Sequence, residues 1–506
     1  MLKTVDKYID KITMYRLLLY YLGALLVIAT GLSAIGVMHY GAIKIIISTG
    51  ILITACWLIN KVFSYIFDAP TNYESSILTA LILALIITPN PTGFGLTFLL
   101  AASGLAMASK YILTIRDKHI FNPAAIAVAL MAIGPKQSAT WWVGTLAMLP
   151  YVLIGGIILT RKIRRSRMVI AFFITSTIAT IFFTYLVKGN VLTAIHSLIA
   201  SSPLFFLGFV MLSEPLTSPA TEKKQTIYGA IVGALLPPQV HIFNFYSSPE
   251  IALLIGNVFS YIVSPKAKLF PSLIEKVQVA ASTYDFVFKP GRKFAFRPGQ
   301  YIEWTLPHTN TDSRGNRRIF TIASSPTENN IRIGVKFYKN GSTFKEALLG
   351  IDSSTLISAS QIAGDFTLPK NRNQKLAFIA GGIGVTPFRS MVKYLIDKNE
   401  ARNVRMLYSS RTTADLAYKD LFEEARVKLG MDTSYILNDI RQAEYLANVT
   451  SGKIDKILLT QAIPDYMDRV FYISGTHPMV EAIQEILHEL GVHHSKIKID
   501  FFPGYA

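Results

Sequence analysis

The stretch KLAFIAGGIGVTPFRSMVKYLIDK, residues 375–398, decides the fold of the second half of the chain. It begins with a continuous apolar run, passes through a glycine-rich turn and continues with apolar residues at helical spacing. A buried strand followed at once by a helix is the repeating unit of a parallel α/β sheet. Further buried strands follow at 404–410, 433–439 and 469–475. We therefore predict a parallel α/β domain over residues 371–506, with its ligand edge at the carboxyl ends of the strands.

The residues before this domain are predicted to form a succession of short strands. Polar and apolar residues alternate in IEKVQVAA, YDFVFKP, QYIEWTLP, RRIFTIASS and NIRIGVKFY, with glycine, proline and asparagine at the turns. Short alternating strands joined by such turns are typical of small antiparallel structures. We predict an antiparallel β-barrel over residues 272–370.

The residues before this barrel are too apolar to form a water-soluble domain. Over the whole chain 51% of residues are hydrophobic and 16% are charged, whereas about a quarter are charged in average soluble domains. Apolar runs long enough to cross, or nearly cross, a bilayer predict a ten-helix transmembrane bundle over residues 1–265. The runs are 16–37, 42–66, 75–88, 94–109, 121–133, 141–160, 168–187, 193–212, 227–241 and 250–264.

The lysines and arginines punctuate the loops between these runs instead of clustering on one soluble face. If the N-terminus is cytoplasmic, the outer loops hold only Lys44, Lys136 and Lys188, an asymmetry that the positive-inside rule predicts. We therefore attribute the net charge of +18 to contact with membrane lipid and expect no nucleic-acid partner. The expected protein is multi-pass in the plasma (inner) membrane, with its N-terminus and its C-terminal domains in the cytoplasm.

Metal-based electron carriers have few candidate ligands in this sequence. Cys56 is the single cysteine, whereas an iron–sulfur centre of the ferredoxin type needs about four thiolates. The apolar runs contain His196 and His241, without the spacing of two histidines per helix that stacks haems. A lone histidine is more often a satisfied polar group than an axial ligand. We predict no metal site, and haem remains a minor alternative.

Four motifs in the second half occur in a fixed order: RPGQY at 297–301, RRIFTIASSP at 317–326, GST at 341–343 and AGGIGVTP at 380–387. In order and spacing they resemble the motifs of the ferredoxin–NADP reductase family, over residues 272–506. The resemblance implies that the β-barrel binds FAD and that the α/β domain binds NADH or NADPH.

The strand RRIFTIASSP carries most of the implied FAD contacts. Alternation places Arg318, Phe320 and Ile322 on one face of the strand. The resemblance implies that Arg318 binds the pyrophosphate, for which a guanidinium fork is suited, and that Phe320 packs on the flavin. It also implies that Thr321 lies near the reactive edge of the flavin, with Ser324 beyond it.

Two other segments are implied to contact FAD. Gly341, Ser342 and Thr343 open a short helix, whose free N–H groups suit a second phosphate contact. The terminal FFPGY resembles the aromatic C-terminal segment of the family, so either Phe502 or Tyr505 is expected to shield the flavin from the nicotinamide side.

The implied nucleotide contacts follow two strands of the α/β domain. Glycine at such a turn lets a dinucleotide backbone approach closely. The residues are Gly381, Gly382, Gly384, Thr386, Pro387, Gly475 and Met479.

The choice between NADH and NADPH is open at this point. Ser410, Arg411 and Lys419 suit a 2′-phosphate, whereas Asp415 suits a free ribose hydroxyl. Arg411 is nearly as consistent with an ordinary surface charge.

Two segments of the apolar half, FNPAA at 121–125 and SEPLTSPAT at 213–221, suggest more than a lipid anchor. In sequence and in order along the chain, residues 60–265 resemble a family of membrane flavoproteins. Members of this family are found in the sodium-pumping NADH:quinone reductase and in the Rnf electron-transport complex. The resemblance implies a bundle of two repeated halves around FMN or riboflavin. A covalent FMN would sit on Thr140, where the usual motif lacks its Asp and has Gln137 in place of Ser or Thr, or on Thr221 in SPAT, a near match that lies in the wrong segment by order.

Together these features predict a single-chain enzyme that passes electrons from NAD(P)H through FAD to a membrane flavin. Quinone is the first expected acceptor, and an acceptor outside the membrane or an electron-transfer protein is the second. Two alternatives are redox-driven Na⁺ or H⁺ pumping, and a reductase attached to a cofactor-free anchor or transporter-like domain.

Overall fold

The chain forms two compact units, Met1–Lys268 and Leu269–Ala506, which we name the helical unit and the sheet unit. The computed structural model describes residues 9, 12–67, 73–135, 137–242, 245–264, 267–309, 311–312, 314–339, 341–440 and 448–502.

Each apolar run of the helical unit contains a helical segment within the described residues. The α-helices are Met14–Ala34, Ala42–Ile66, Tyr73–Ile86, Gly93–Ile112, Pro123–Ile133, Leu149–Ile163, Ser166–Leu186, Val191–Ala200, Leu204–Phe206 with a π-helical turn Leu207–Met211, Glu222–Leu235 and Pro249–Val263. Two short hairpins, Thr114–Ile115 with Lys118–His119 (β1, β2) and His241–Ile242 with Phe245–Tyr246 (β3, β4), join some of them.

The predicted number of ten complete spans is not confirmed. Within the described residues, four helices are long and apolar enough to cross a bilayer, or five spans if a helix pair bent by 56° is one of them. The four are Met14–Ala34, Ala42–Ile66, Gly93–Ile112 and Ser166–Leu186. Helix Pro123–Ile133 has 11 residues and so rises only about 16 Å, half the thickness of the hydrocarbon core. Some of the apolar runs also include non-helical residues, as before Leu149.

The long and the short helices differ in what they bury. Helix Tyr73–Ile86 is buried continuously from Leu78 to Ile86, so it lies inside the unit. The long helices instead expose large apolar side chains, including Ile46, Tyr65 and Ile178. Apolar surface of this extent requires a nonaqueous surrounding, which identifies the helical unit as membrane-embedded.

The first part of the sheet unit, residues 272–370, is the antiparallel module. Its strands pair as two three-stranded sheets, in the orders β10-β7-β8 and β5-β6-β9. The strands are β5 Ser272–Ala280, β6 Thr283–Lys289, β7 Tyr301–Thr305, β8 Arg317–Thr321, β9 Ile331–Lys336 and β10 Ser358–Ala363, with helix Thr343–Gly350 before β10.

The predicted closed barrel is not confirmed by these pairings. Strand β8 ends at Thr321, and the backbone beyond it bends towards β9. The connection there consists of the Ala323 N–H donating to the Arg332 carbonyl at 2.8 Å and the Arg332 N–H donating to Ser324 Oγ at 3.1 Å. A second connection is the isolated antiparallel bridge between Leu269, just before β5, and Ala359 on β10, so the two sheets are joined at two places without continuous strand pairing.

The second part, residues 371–502, is the parallel module and confirms the predicted parallel sheet. Six strands have the order β14-β13-β12-β11-β15-β16, and every neighbouring pair is parallel. They are β11 Leu376–Gly381, β12 Val404–Ser410, β13 Asp432–Leu437, β14 Val449–Ser451, β15 Val470–Thr476 and β16 Ile497–Phe502. The helices are Thr386–Asp397, Lys419–Leu429, Lys456–Ala462 and His477–Glu489. The central β11 carries the motif from which the fold was predicted.

Candidate functional site

The guanidinium of Arg318 is buried at the end of the antiparallel module and held by backbone carbonyls. Its Nη1 donates to the carbonyls of Arg314, Gly315 and Arg317 at 2.8, 3.0 and 2.7 Å. The guanidinium carbon lies 5.1 Å from the ring centroid of Phe344. Strand alternation predicts only the face on which Arg318 lies, whereas these contacts fix the position of its positive charge.

Arg318 forms a cluster of three cations with Arg314 and Lys345. Arg314 and Arg318 lie close enough to Lys345 that, after burial, their charges are the next causes of a Lys345 pKa lowered to about 8. A lysine whose pKa falls under the influence of two arginines lies in an excess of positive charge. Such a cluster fits a dianionic diphosphate, which is the group that FAD would bring here.

Asp312 is an acidic residue of this cluster that the sequence did not indicate. Its carboxylate pairs with Arg314 at 2.8 Å and accepts the Thr343 N–H at 3.2 Å. Burial opposes its ionisation, but hydrogen bonds from Arg314 and from two backbone N–H groups lower the pKa of Asp312. Asp312 thus contacts the helix N–H group that the sequence assigned to a phosphate. Ser342 caps the same helix, with its Oγ accepting the Lys345 N–H.

The other residues predicted to contact the flavin lie on or just beyond β8, or just before helix Thr343–Gly350. Phe320 shares the Arg318 face, and its ring lies 6.0 Å from that of Phe344. Thr321 and Ile322 are buried, and the Ile322 N–H donates to Gln300. The Ser324 hydroxyl accepts the Arg332 N–H of β9, as described above. Gly341 precedes the helix cap.

The ligand edge of the parallel module is lined by glycines at the ends of β11 and β15. A Cβ added to Gly384 would lie 2.5 Å from the Ser474 carbonyl oxygen and 2.6 Å from the Gly475 Cα, and one added to Gly381 would overlap Met479. Gly382 has φ +52°, a conformation that favours glycine. Gly381 and Gly384 therefore let the turn after β11 pack closely against the end of β15 and against Met479, and a side chain at either position would clash with that packing.

A buried hydroxyl also lies at this edge. Ser474 Oγ has no hydrogen-bond partner among the described residues, and an unsatisfied buried polar group is costly unless a ligand or water completes it. Thr386 donates to the Ile383 carbonyl at 3.1 Å, and Pro387 follows it in the first turn of the helix. The edge therefore fits a polar ligand.

The two modules of the sheet unit meet at a buried polar contact that sequence reasoning missed. Asp285 on β6 accepts hydrogen bonds from Tyr418 Oη and from Arg332 Nη1, the latter at 2.9 Å. Arg389, on helix Thr386–Asp397, donates to the Ala323 carbonyl at 3.0 Å and pairs with Glu328. No local pattern signals these contacts, because each joins residues more than 40 positions apart in the chain. They hold the parallel module against the end of RRIFTIASSP.

Two of the predicted site residues, Phe502 and Tyr505, belong to the segment FFPGY near residue 506. Phe502 is the last residue of β16, and its backbone pairs with Thr476. The side chain of Phe502 and the whole of Tyr505 lie outside the described residues, so the choice between them stays a prediction.

In the helical unit the two segments FNPAA and SEPLTSPAT come together. Asn122 Nδ2 donates to Glu214 Oε2 at 2.9 Å, and Thr217 Oγ1 donates to the same oxygen at 3.0 Å. The Asn122 N–H donates to Asn257 Oδ1 at 2.9 Å. Arg165 is buried beside them and donates to the Ser213 carbonyl at 3.2 Å. A buried polar cluster of this kind in a membrane unit is a candidate functional site.

The two candidate attachment threonines lie apart from one another in the chain and differ in exposure. Thr140 is exposed, accepts from Thr88 Oγ1 at 3.0 Å, and lies in a loop whose N–H groups cap the end of helix Tyr73–Ile86. Thr221 is half-buried and is the N-terminal cap residue of helix Glu222–Leu235.

The cluster of Arg314, Arg318 and Lys345 lies in the antiparallel module, and the glycine-lined edge lies in the parallel module. The Asp285 and Arg389 contacts hold these two modules together. Together they define a reductase module of the type that binds FAD and NAD(P). It is attached to a membrane-embedded helical unit. Residues 378–485 match the oxidoreductase NAD-binding domain, and residues 143–266 match the NQR2, RnfD, RnfE family. The second match contains SEPLTSPAT and Thr221 but begins after FNPAA and Thr140. The chain thus joins a segment that is similar to the NQR2, RnfD, RnfE family to a segment that is similar to the oxidoreductase NAD-binding domain.

The similar proteins that follow each match less than half of this chain. A flavohemoprotein of Candida albicans is 28% identical over 218 residues, which are 41% of this chain and 51% of that protein. An NADPH oxidoreductase of Mycobacterium tuberculosis is 25% identical over 209 residues, 40% of this chain and 52% of that protein. The FAD/NAD binding domain of a Vibrio cholerae nitric oxide dioxygenase covers 46% of this chain and 98% of its own, at 21% identity and a TM-score of 0.39. The chain spans about half the length of the first of these curated relatives.

Proposed function

We propose that the protein is a membrane-bound NAD(P)H dehydrogenase that delivers electrons through FAD to a flavin in the helical unit and then to quinone. The observation that carries the proposal is the coexistence, in one compact unit, of a diphosphate-type cation cluster and a glycine-lined nucleotide edge. The family match of residues 143–266 supplies the membrane part of the proposal.

The residues of the sheet unit bind and orient, and the cofactors supply the redox chemistry. FAD, when bound, accepts a hydride from NAD(P)H and passes the electrons on singly. Arg314, Arg318 and Lys345 would hold its diphosphate. Gly381 and Gly384 would admit the nicotinamide nucleotide.

The polar cluster around Glu214 is the proposed site of the membrane flavin. It joins the two segments that carry the family resemblance, and the buried Asn122 and Thr217 direct donors at one oxygen of the half-buried Glu214 carboxylate. The proposed orientation places the N-terminus and the sheet unit in the cytoplasm of a cell bounded by the plasma membrane, in agreement with the loop charges. An electron-transfer protein is the second candidate acceptor.

The flavin content of detergent-purified protein tests this proposal directly. We expect one FAD per chain and a second flavin, released by acid as FMN or riboflavin or retained as fluorescence on a denaturing gel. Gel-bound fluorescence that disappears in Thr221→Val but persists in Thr140→Val would assign the covalent position to Thr221, and the reverse pattern would assign it to Thr140.

FAD as the sole flavin would contradict the membrane relay and favour an anchor or transporter-like helical unit. As a control, the membrane insertion of each threonine variant is measured separately. Valine is the chosen substitution because it preserves the side-chain shape while removing the hydroxyl.

The lowered pKa of Lys345 predicts a pH dependence of FAD binding. Lys345 is charged below its pKa of about 8, and a bound diphosphate would favour the charged form further. FAD affinity should therefore be constant below that pH and fall as the pH rises through it. Fluorescence titration of the flavin-depleted protein from neutral to alkaline pH measures this dependence.

In Lys345→Met the affinity should be lower and its alkaline decline absent. A wild-type profile that stays flat across this range would remove Lys345 from the diphosphate site. Lys276→Met is the matched control, since Lys276 contacts the Leu349 carbonyl at the other end of the same helix.

A further inference from the structure

The loop that follows β12, residues 411–418, is anchored to the antiparallel module at three places. We name it the nucleotide loop, because it leaves a strand at the ligand edge of the parallel sheet. The Ala281 N–H donates to the Ala414 carbonyl at 2.9 Å. Lys336 pairs with Asp415, and Tyr418 Oη donates to Asp285. The conformation of this loop is therefore set by residues outside the domain that carries it.

Both carboxylate oxygens of Asp415 are engaged by the protein. Lys336 Nζ lies 2.9 Å from Oδ1, and Thr412 Oγ1 donates to Oδ2 at 3.0 Å. Both partners of the ion pair are mostly buried, with side-chain exposures of 18% for Lys336 and 15% for Asp415. Burial opposes ionisation, but the hydrogen bonds from Lys336 and Thr412 lower the pKa of Asp415, so the pair is ionic at neutral pH.

This arrangement bears on the choice between NADH and NADPH, which the sequence left open. A carboxylate selects a nucleotide with a free 2′-hydroxyl by accepting its hydrogen bond, and it repels a 2′-phosphate. Each Asp415 oxygen already accepts one hydrogen bond, and the charge of the carboxylate is offset by Lys336. Arg411, on the same loop, is exposed and close enough to contribute to the lowered pKa of Asp415.

We propose that Lys336 is a specificity-determining residue, which holds Asp415 away from the nucleotide ribose and thereby selects a 2′-phosphorylated coenzyme, NADPH, over NADH. The inference rests on the proposed function, because it refines the nucleotide site of that function. Lys336 belongs to the antiparallel module and acts through Asp415, so its role is positioning and not contact with the coenzyme.

Binding of two probes to the detergent-purified full chain tests the proposal without measuring turnover. Isothermal titration compares 2′,5′-ADP with 5′-AMP, which differ in the 2′-phosphate alone. We expect wild type to prefer 2′,5′-ADP. In Lys336→Met the preference should fall about tenfold or more, the effect of losing one charge-assisted contact and freeing a carboxylate. The double variant Lys336→Met with Asp415→Asn should regain the preference, because the repelling charge is gone.

The control is Lys375→Met, which removes a lysine that pairs with Asp465 and Asp468 next to the amino end of β11, at the opposite edge of the sheet. Its preference should equal that of wild type. An unchanged preference in Lys336→Met, a wild-type preference for 5′-AMP, or a double variant as impaired as the single one would overturn the role of Lys336. Failure of both probes to bind wild type would overturn the nucleotide site itself, and with it the proposed function.

Discussion

Arg318→Ala is expected to lose FAD while the helical unit stays folded. The guanidinium of Arg318 is buried and oriented by three carbonyls, whereas the neighbouring Arg314 is paired with Asp312 and Lys345 has no planar fork of donors. Truncating one partner of a buried charged contact weakens binding by about a hundredfold or more. FAD released per chain from the purified variant, together with helical circular dichroism in detergent, measures both parts of this expectation.

Arg317→Ala provides the matched control. Arg317 precedes Arg318 on β8 and points to the opposite face of the strand, so this variant removes a like charge from the same strand without touching the cation cluster. Arg318→Lys should retain an intermediate amount of FAD, since lysine keeps the charge but not the planar fork. Full FAD occupancy in Arg318→Ala would show that the assignment of RRIFTIASSP to the diphosphate is wrong.

The parallel module could be predicted because its strands are buried on both faces. Continuous apolar runs such as LAFIA, followed directly by a glycine turn and a helix, leave few alternatives to a parallel sheet. The antiparallel module has equally clear strands, but no pairing among them could be predicted. Which strand closes on which depends on contacts such as that of Ala323 with Arg332, and alternation along one strand carries no information about its partner.

The helical unit shows the limit of counting apolar residues. Hydropathy identifies segments that avoid water, but it does not separate a spanning helix from a short buried helix or an apolar loop. Trp142 illustrates the last case, since its indole N–H donates to the Ala84 and Ile87 carbonyls from a non-helical segment. The run 141–160 therefore predicts one span, whereas its helix begins at Leu149.

Sequence reasoning can propose a site residue that lies in a local motif, but it cannot propose one that acts through a distant partner. Arg318 and Gly384 lie in recognisable sequence patterns. Lys336 and Asp415 are 79 positions apart, and nothing near either residue indicates the other. Asp312 likewise reaches the helix at Thr343 across 31 positions. Such contacts follow from the packing of the modules, which the sequence of one segment does not encode.

Gly384→Ala is expected to abolish efficient reduction of the enzyme by NAD(P)H while FAD remains bound. The added methyl group would lie 2.5 Å from the Ser474 carbonyl oxygen and 2.6 Å from the Gly475 backbone nitrogen, both rigid parts of β15. The turn after β11 and the end of β15 must therefore separate, and both edges of the nucleotide site move. A displacement near 1 Å at a reacting centre lowers the rate about a hundredfold. Stopped-flow bleaching of the flavin by NADH and by NADPH measures the loss.

Gly350→Ala separates this steric effect from a general effect of replacing glycine. A Cβ at Gly350 meets no atom within 4 Å, and this residue ends helix Thr343–Gly350 away from the parallel module. Its bleaching rate should match that of wild type. If Gly384→Ala bleached as fast as Gly350→Ala, the close approach of the two strand ends would have no part in admitting the nucleotide. If Gly384→Ala instead lost FAD, the substitution would have disturbed the antiparallel module, and the nucleotide edge would extend to the flavin site.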